Sequence, residues 1–275
     1  MTTWSNRIDS TRESIESMQS GLTVSYIMTP RANLITCSPD DSIHSLKYVR
    51  ESGFSVLPVI MNEVVTGLLY TNQLFGEMNT PIGKVGDHFE PLTEDHLIGS
   101  NAHILEFIRS LFERPMRLVA SGSGIEGLVS LADLQKLPAR TALFSVVTGL
   151  ELAMADRIGD AWKDCPNGWL SLLSDDRREA VEKRIAQAKQ RDTFVNEIAY
   201  TQLADKATIV RKSKFLRGSN RELNNAFTAI GDLRNNLAHA NDYAATESAA
   251  YEVSNTVNVM LRIVRELQTS TASAN

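Results

Sequence analysis

Cysteine is scarce: Cys37 and Cys165 are the two in 275 residues, and no CxxC or other metal spacing joins them. That argues against a disulfide scaffold or a cysteine metal site and fits a reducing, cytoplasmic setting. Long apolar runs are lacking too. The least polar stretch, Ala142 to Ala155, is too short to span a membrane and contains Ser145, Thr148 and Glu151. The first residues, Met1 to Arg7, hold no apolar signal core. There is no basic excess either, the net charge being −5. The expectation is therefore a soluble cytoplasmic protein with no membrane partner and no bound metal. Its 43% hydrophobic and 22% charged residues are ordinary for a globular chain, and its length allows two domains.

The charge is unevenly spread. Residues 1–137 hold 10 of the 28 Lys and Arg and 16 of the 33 Asp and Glu, which leaves 18 and 17 for residues 138–275. A polyanion should meet the second half.

The first half opens with Trp4, Ile8, Ile15, Met18 and Leu22 at roughly helical spacing, so an amphipathic helix is expected over residues 1–22. An internal repeat follows. Its first copy, residues 23–78, carries Met28-Thr29-Pro30, a helix over about 42–52, a strand over 56–60, a turn at Asn62-Glu63, and a strand over 64–70. Two β-rich runs around a short polar turn predict a hairpin. The second copy, residues 79–137, repeats the order with Pro91, a helix around Ile104, Phe107, Ile108 and Leu111, then Arg117-Leu118-Val119 and Gly127-Leu128-Val129-Ser130.

This order resembles a tandem pair of CBS modules, which implies clefts that take adenosine-containing ligands. The family's ribose pattern is a glycine followed at three and six residues by Ser/Thr and Asp. Gly127, Ser130 and Asp133 match it, whereas the first copy has Tyr70 and Gln73 in those places. Arg117 stands where the resemblance implies a phosphate contact, with Val56 read as its counterpart. The implied ligand is an adenine nucleotide (AMP, ADP or ATP) acting as a regulator. Helix capping alone would also select Ser130 and Asp133.

From Pro138 the periodicity turns helical. Leu143, Val147, Leu150, Met154 and Ile158 mark a buried stripe flanked by Glu151, a carboxylate that needs a partner such as Arg234. A helix is expected over about 194–217, ending in the basic run Lys206, Arg211, Lys212, Lys214 and Arg217, a candidate RNA-backbone track or simply a solvated face. The next helix ends in Arg234-Asn235-Asn236-Leu237-Ala238-His239. At about 100° per residue Asn235 and His239 share a face, with Arg234 beside them. A guanidinium contacts phosphate oxygens in pairs, and an imidazole moves protons near neutral pH. A His near a helix end can also be favoured by the helix dipole alone.

Placed in an all-helical half, that hexapeptide resembles the HEPN signature: Arg, a polar residue, a few residues, then His. The resemblance implies an α+β protein in which a CBS pair precedes a HEPN-like bundle over 138–268, with a disordered tail over 269–275. It implies a metal-independent endoribonuclease, with no cofactor for catalysis, acting as a homodimer on RNA. Arg234, Asn235 and His239 would be catalytic, and Glu151 and Tyr243 would support them. The alternative is an inactive nucleotide-sensing adaptor. A toxin silenced by modification of Tyr243 is a further reading.

Overall fold

The computed structural model describes residues 17, 20–46, 49, 51–75, 82–191 and 195–272. The amphipathic helix expected over residues 1–22 lies almost wholly outside them. The architecture is α+β, and contacts divide it into two units: residues 23–102 with 113–133, and residues 1–22, 103–112 and 134–275.

The first unit is built on strand exchange between the two repeats. Its strands are β1 (Thr29–Pro30), β2 (Val56–Met61), β3 (Val64–Tyr70), β4 (Glu90–Pro91), β5 (Leu97–Gly99), β6 (Met116–Ser121) and β7 (Gly124–Ser130). One sheet has the order β1-β7-β6-β5 and the other β2-β3-β4. β1, from the start of the first copy, pairs with the hairpin of the second, Thr29 opposite Leu128 and Pro30 opposite Gly127. β4, from the start of the second copy, pairs with the hairpin of the first, Glu90 opposite Leu68 and Pro91 opposite Gly67. Glycine is required at both crossings. A Cβ on Gly127 would strike the Thr29 carbonyl, and one on Gly67 the Glu90 carbonyl. The correspondence extends further: the Val24 N–H donates to the Ala102 carbonyl at 2.8 Å, and the Val85 N–H to the Asp41 carbonyl at 2.9 Å.

Both hairpins bulge at the same step, Val59/Ile60 and Val119/Ala120. The first turns through Asn62 and Glu63 at φ 52° and 63°, the conformation a tight two-residue hairpin loop demands. The unit's core holds Cys37, Ile43, Leu46, Leu57, Val59 and Leu69, with Val65, Leu68, Leu118 and Leu128 forming a second cluster. Of the helix expected over 42–52, Ile43–Leu46 forms a 3-10 turn, and residues 47, 48 and 50 are among those not described.

The helical elements are α1 (Thr71–Leu74), α2 (Ile104–Arg109), α3 (Leu137–Ala161), α4 (Asp175–Lys189), α5 (Leu203–Lys212), α6 (Asn220–Ala238) and α7 (Glu247–Ala272). α2 belongs to the helical unit rather than to its repeat. Its last carbonyl, on Arg109, accepts from the Asn258 amide at 3.1 Å and the Ser254 hydroxyl at 3.3 Å, both on α7. The helical unit likewise resumes at Leu134, ahead of the expected boundary at 138. α3 is the central helix, with Leu143, Leu150, Met154 and Ile158 fully buried and Val147 nearly so.

Two helical expectations need correction. The helix foreseen over 194–217 is a 3-10 turn at Glu197–Tyr200 followed by α5, because the Gln202 N–H donates to Asp205 at 2.9 Å and restarts the helix there. Of the tail foreseen as disordered, residues 269–272 belong to α7, with the Thr269 hydroxyl donating back to the Arg265 carbonyl at 3.1 Å, and residues 273–275 lie outside the described ones.

Asp205, 3% exposed, is also gripped by Arg177, with Nε–Oδ1 at 2.9 Å and Nη2–Oδ2 at 2.7 Å. Burial pushes its pKa up, but the Arg177 and Gln202 hydrogen bonds outweigh that and hold it below 3.8. Arg177 is itself partly exposed, so the loss of stability should be greater when the buried Asp205 carboxylate is left without its partner than when Asp205 is removed.

Candidate functional site

The Arg234–His239 segment closes α6. Ser219 and Glu222 cap the start of that helix reciprocally, and Leu223, Ile230, Leu233 and Leu237 bury one side of it. At the other end His239 caps the helix just past Ala238, its N–H donating to the Asn235 carbonyl at 3.0 Å. Ala240 follows at φ 54°, and the Asn241 N–H donates back to the Asn236 carbonyl at 3.0 Å. That is a left-handed helix stop, with alanine in a position where glycine is the unstrained choice.

The stop is held from α3. The Arg140 guanidinium donates to the carbonyls of Asn236 (3.1 Å), Leu237 (3.2 Å) and Asn241 (2.8 Å), and lies 4.8 Å from the centre of the Tyr243 ring. The Tyr243 hydroxyl in turn donates to the Leu134 carbonyl. Sequence reasoning missed Arg140. Its acceptors are backbone carbonyls about a hundred residues away, which leave no local pattern.

Arg234, Asn235 and His239 are all exposed. The Arg234 guanidinium leans onto its neighbour, donating to the Asn235 side-chain oxygen at 3.3 Å, which draws it toward the face that Asn235 shares with His239. An exposed cation, an amide and an imidazole at a rigid helix end can contact phosphate and exchange a proton.

Neither supporting residue stands as expected. Glu151 is not paired with Arg234; its carboxylate lies 3.8 Å from the Lys206 ammonium, because that face of α3 packs toward α5. Tyr243 is 6% exposed and engaged in packing, and burial pushes its hydroxyl up to about 12, so it is closed to modification in this conformation.

The basic run also changes. Lys206 is 5% exposed and donates to the Thr201 carbonyl at 2.8 Å, so it leaves the track. Burial pushes its pKa down, opposed by the Glu151 and Asp205 carboxylates. Lys212 is exposed, with its ammonium 2.7 Å from the Leu172 carbonyl, and Lys214 and Arg217 are exposed in the loop after α5; Arg211 is half-buried. Arg217 opens instead onto a groove between α6 and α7. A cavity of about 660 Å³ there is lined by Arg217, Glu222, Asn225, Asn255 and Arg262, and an adjoining one of about 280 Å³ adds Arg265 and Glu266. Arg262 and Arg265 come from the last helix, which is why a linear reading of the basic run did not find them.

In the first unit Asp133 is 4% exposed. Its Oδ2 accepts from the Ser130 N–H at 2.7 Å and from the Ser130 hydroxyl at 3.3 Å, so it performs the capping role. Arg117 is 6% exposed on β6, directly opposite Val129. The shared bulge and register make its counterpart Leu57, opposite Leu69, and not Val56, which lies opposite Tyr70 as Met116 lies opposite Ser130. Of the other histidines, His44, His88 and His103 are exposed, and His96 is half-buried with Nδ1 accepting from the Thr93 N–H at 3.1 Å. Among the described residues no group of three or more His, Cys, Asp or Glu is placed to hold a metal, and no helix is long and apolar enough to cross a membrane.

No family model matches the chain, and no curated protein matches it. Solved structures of CBS domains are similar to part of it. The CBS domain of a bacterial CNNM/CorC-family Mg2+ transporter in complex with ATP is 23% identical, covering 45% of this chain and 91% of that one, at a TM-score of 0.36. CBSX2 in complex with AMP, a CBS-pair protein of Arabidopsis thaliana, is 23% identical over 44% of this chain and 96% of that one, at 0.36. The CBS domains of a Streptococcus pneumoniae transcriptional regulator are 21% identical over 41% and 95%, at 0.35.

Proposed function

We propose that the chain is a metal-independent endoribonuclease of the HEPN type, acting as a homodimer and responsive to an adenine nucleotide held by a CBS-like repeat pair. The observation that carries the catalytic part is the end of α6. There Arg234, Asn235 and His239 are exposed while Arg140 fixes the backbone beneath them.

The reaction needs no group beyond the RNA and these side chains. The 2′-hydroxyl attacks the adjacent phosphorus, and the bond to the 5′-oxygen breaks, leaving a 2′,3′-cyclic phosphate and a 5′-hydroxyl. His239 takes the proton from the 2′-hydroxyl or gives one to the leaving oxygen. Arg234 neutralises the charge that builds on the phosphorane oxygens. Asn235 orients the phosphate. One chain supplies one imidazole, so the second acid or base comes from the His239 of a second copy. Exposed Lys212, Lys214 and Arg217 would guide the RNA backbone.

The nucleotide is assigned to the second repeat, whose Ser130 and Asp133 are hydrogen-bonded at the end of β7 and whose Arg117 lies on the paired strand β6. The strand exchange supports the repeat-pair reading, since each hairpin is completed by the other copy.

The test is incubation with total RNA in EDTA, with and without ATP or AMP, beside His239→Ala and Arg234→Ala. Cleavage lost in both variants upholds the reading. No cleavage by the wild type under any nucleotide rejects it and leaves a nucleotide-sensing adaptor.

A further inference from the structure

We propose that the Ser130–Asp133 turn controls the end of α6 through the segment that follows it, Leu134 to Arg140. This rests on the reading above and gives the nucleotide its route to His239. The stretch after α6 is held one residue at a time from that short segment. The Arg140 guanidinium donates to the Asn241 carbonyl at 2.8 Å, the Gln135 amide donates to the Asp242 carboxylate, and the Tyr243 hydroxyl donates to the Leu134 carbonyl. Arg140 also lies against the Tyr243 ring and holds the Asn236 and Leu237 carbonyls, in the last turn before His239.

The hold keeps a strained conformation in place. Ala240 stands at φ 54°, which is costly for a residue other than glycine and persists only where the surroundings impose it. Tyr243 is 6% exposed, so water does not replace the Leu134 carbonyl if it moves away. The ring follows that carbonyl, or its hydroxyl is left buried without an acceptor. The end of α6 therefore has a clamped and a relaxed arrangement, and the position of Leu134 and Gln135 selects between them.

Asp133 sets that position. With Leu134 and Gln135 it belongs to one 3-10 turn, Leu131–Gln135, and its Oδ2 closes the start of the turn by accepting from the Ser130 N–H at 2.7 Å and the Ser130 hydroxyl at 3.3 Å. Asp133 is 4% exposed. A ribose reaches its carboxylate only by drawing it outward, at the expense of the bonds to Ser130. The ligand gains its contact in the opened turn alone, and that difference is what a shift between two states requires. The same shift loosens the hold on Asp242 and Tyr243. Gln135 and Tyr243 are thus positioning residues for His239.

The test is hydrogen exchange on the full chain, followed at the His239 and Asn241 amides, which donate to the Asn235 and Asn236 carbonyls. Binding of AMP and ATP is measured alongside by calorimetry. Nucleotide should raise exchange at those amides by about threefold or more. Asp133→Ala should raise it with no ligand present. Gln135→Ala and Tyr243→Phe should show raised exchange at rest and no further rise with nucleotide. Both should also bind the nucleotide more tightly than the wild type, because coupling is reciprocal and the ligand no longer has the hold to break. A packing role alone would not tighten binding. Nucleotide bound with exchange unchanged or slowed, Asp133→Ala exchanging as the wild type does, or both variants keeping the full response would each overturn the proposal. No binding of either nucleotide would remove the nucleotide reading and the control together, whereas binding without a change in exchange would remove the control alone. A response in exchange from a chain that cuts no RNA would keep the control and remove the nuclease.

Discussion

The two units treat their candidate sites in opposite ways. In the first, Asp133 and Arg117 are almost wholly buried, and Asp133 holds the turn after β7 through Ser130. In the second, Arg234, Asn235 and His239 stand in solvent, and the structural work beneath them falls to Arg140 and Tyr243. Where one residue has both duties, stability and function should fail together. Where the duties are divided, they should separate.

The largest separation is expected at His239. His239→Ala should lower RNA cleavage at least a hundredfold, the scale of a lost acid–base group, while the melting temperature stays unchanged. A variant that melts early would break the comparison. Arg140→Ala should do the reverse. It removes three charge-assisted hydrogen bonds and should cost about 2 kcal/mol in denaturant unfolding, with cleavage falling as a consequence of the loosened helix end.

Asp133→Ala should show the joined behaviour: about 1 kcal/mol of stability from the lost cap, together with about a tenfold loss of AMP or ATP affinity by calorimetry. Affinity lost without stability would make Asp133 a pure ligand group. The smallest effect is expected at Ala240. Ala240→Gly relieves the left-handed backbone and should stabilise by about 0.5–1 kcal/mol, leaving cleavage intact.

The same division explains what the sequence made legible. The α3 and α7 stripes could be read because helical packing repeats every three or four residues, and Leu143, Leu150, Val257 and Met260 are buried as that period requires. The strand exchange could not. β1 and β4 are two residues each, too short for any period, and are fixed by Gly127 and Gly67 on distant hairpins. Arg117 was matched to the wrong residue of the first copy because register is set by cross-strand pairing rather than by order along the chain. Lys206 looked like part of a basic track, and only packing against Glu151 and Thr201 takes it inside. The Arg234–His239 segment was visible as six consecutive residues; the Arg140 beneath it was not, because it acts on carbonyls that every residue has.

The most direct measurement is the chemistry of the cut ends. Purified full-length protein is incubated with a defined RNA in EDTA, and the products are analysed by mass spectrometry beside those of His239→Ala. The account predicts 2′,3′-cyclic phosphate and 5′-hydroxyl ends that vanish in the variant. Intact RNA under every nucleotide, 5′-phosphate ends, or equal cleavage by His239→Ala would contradict it.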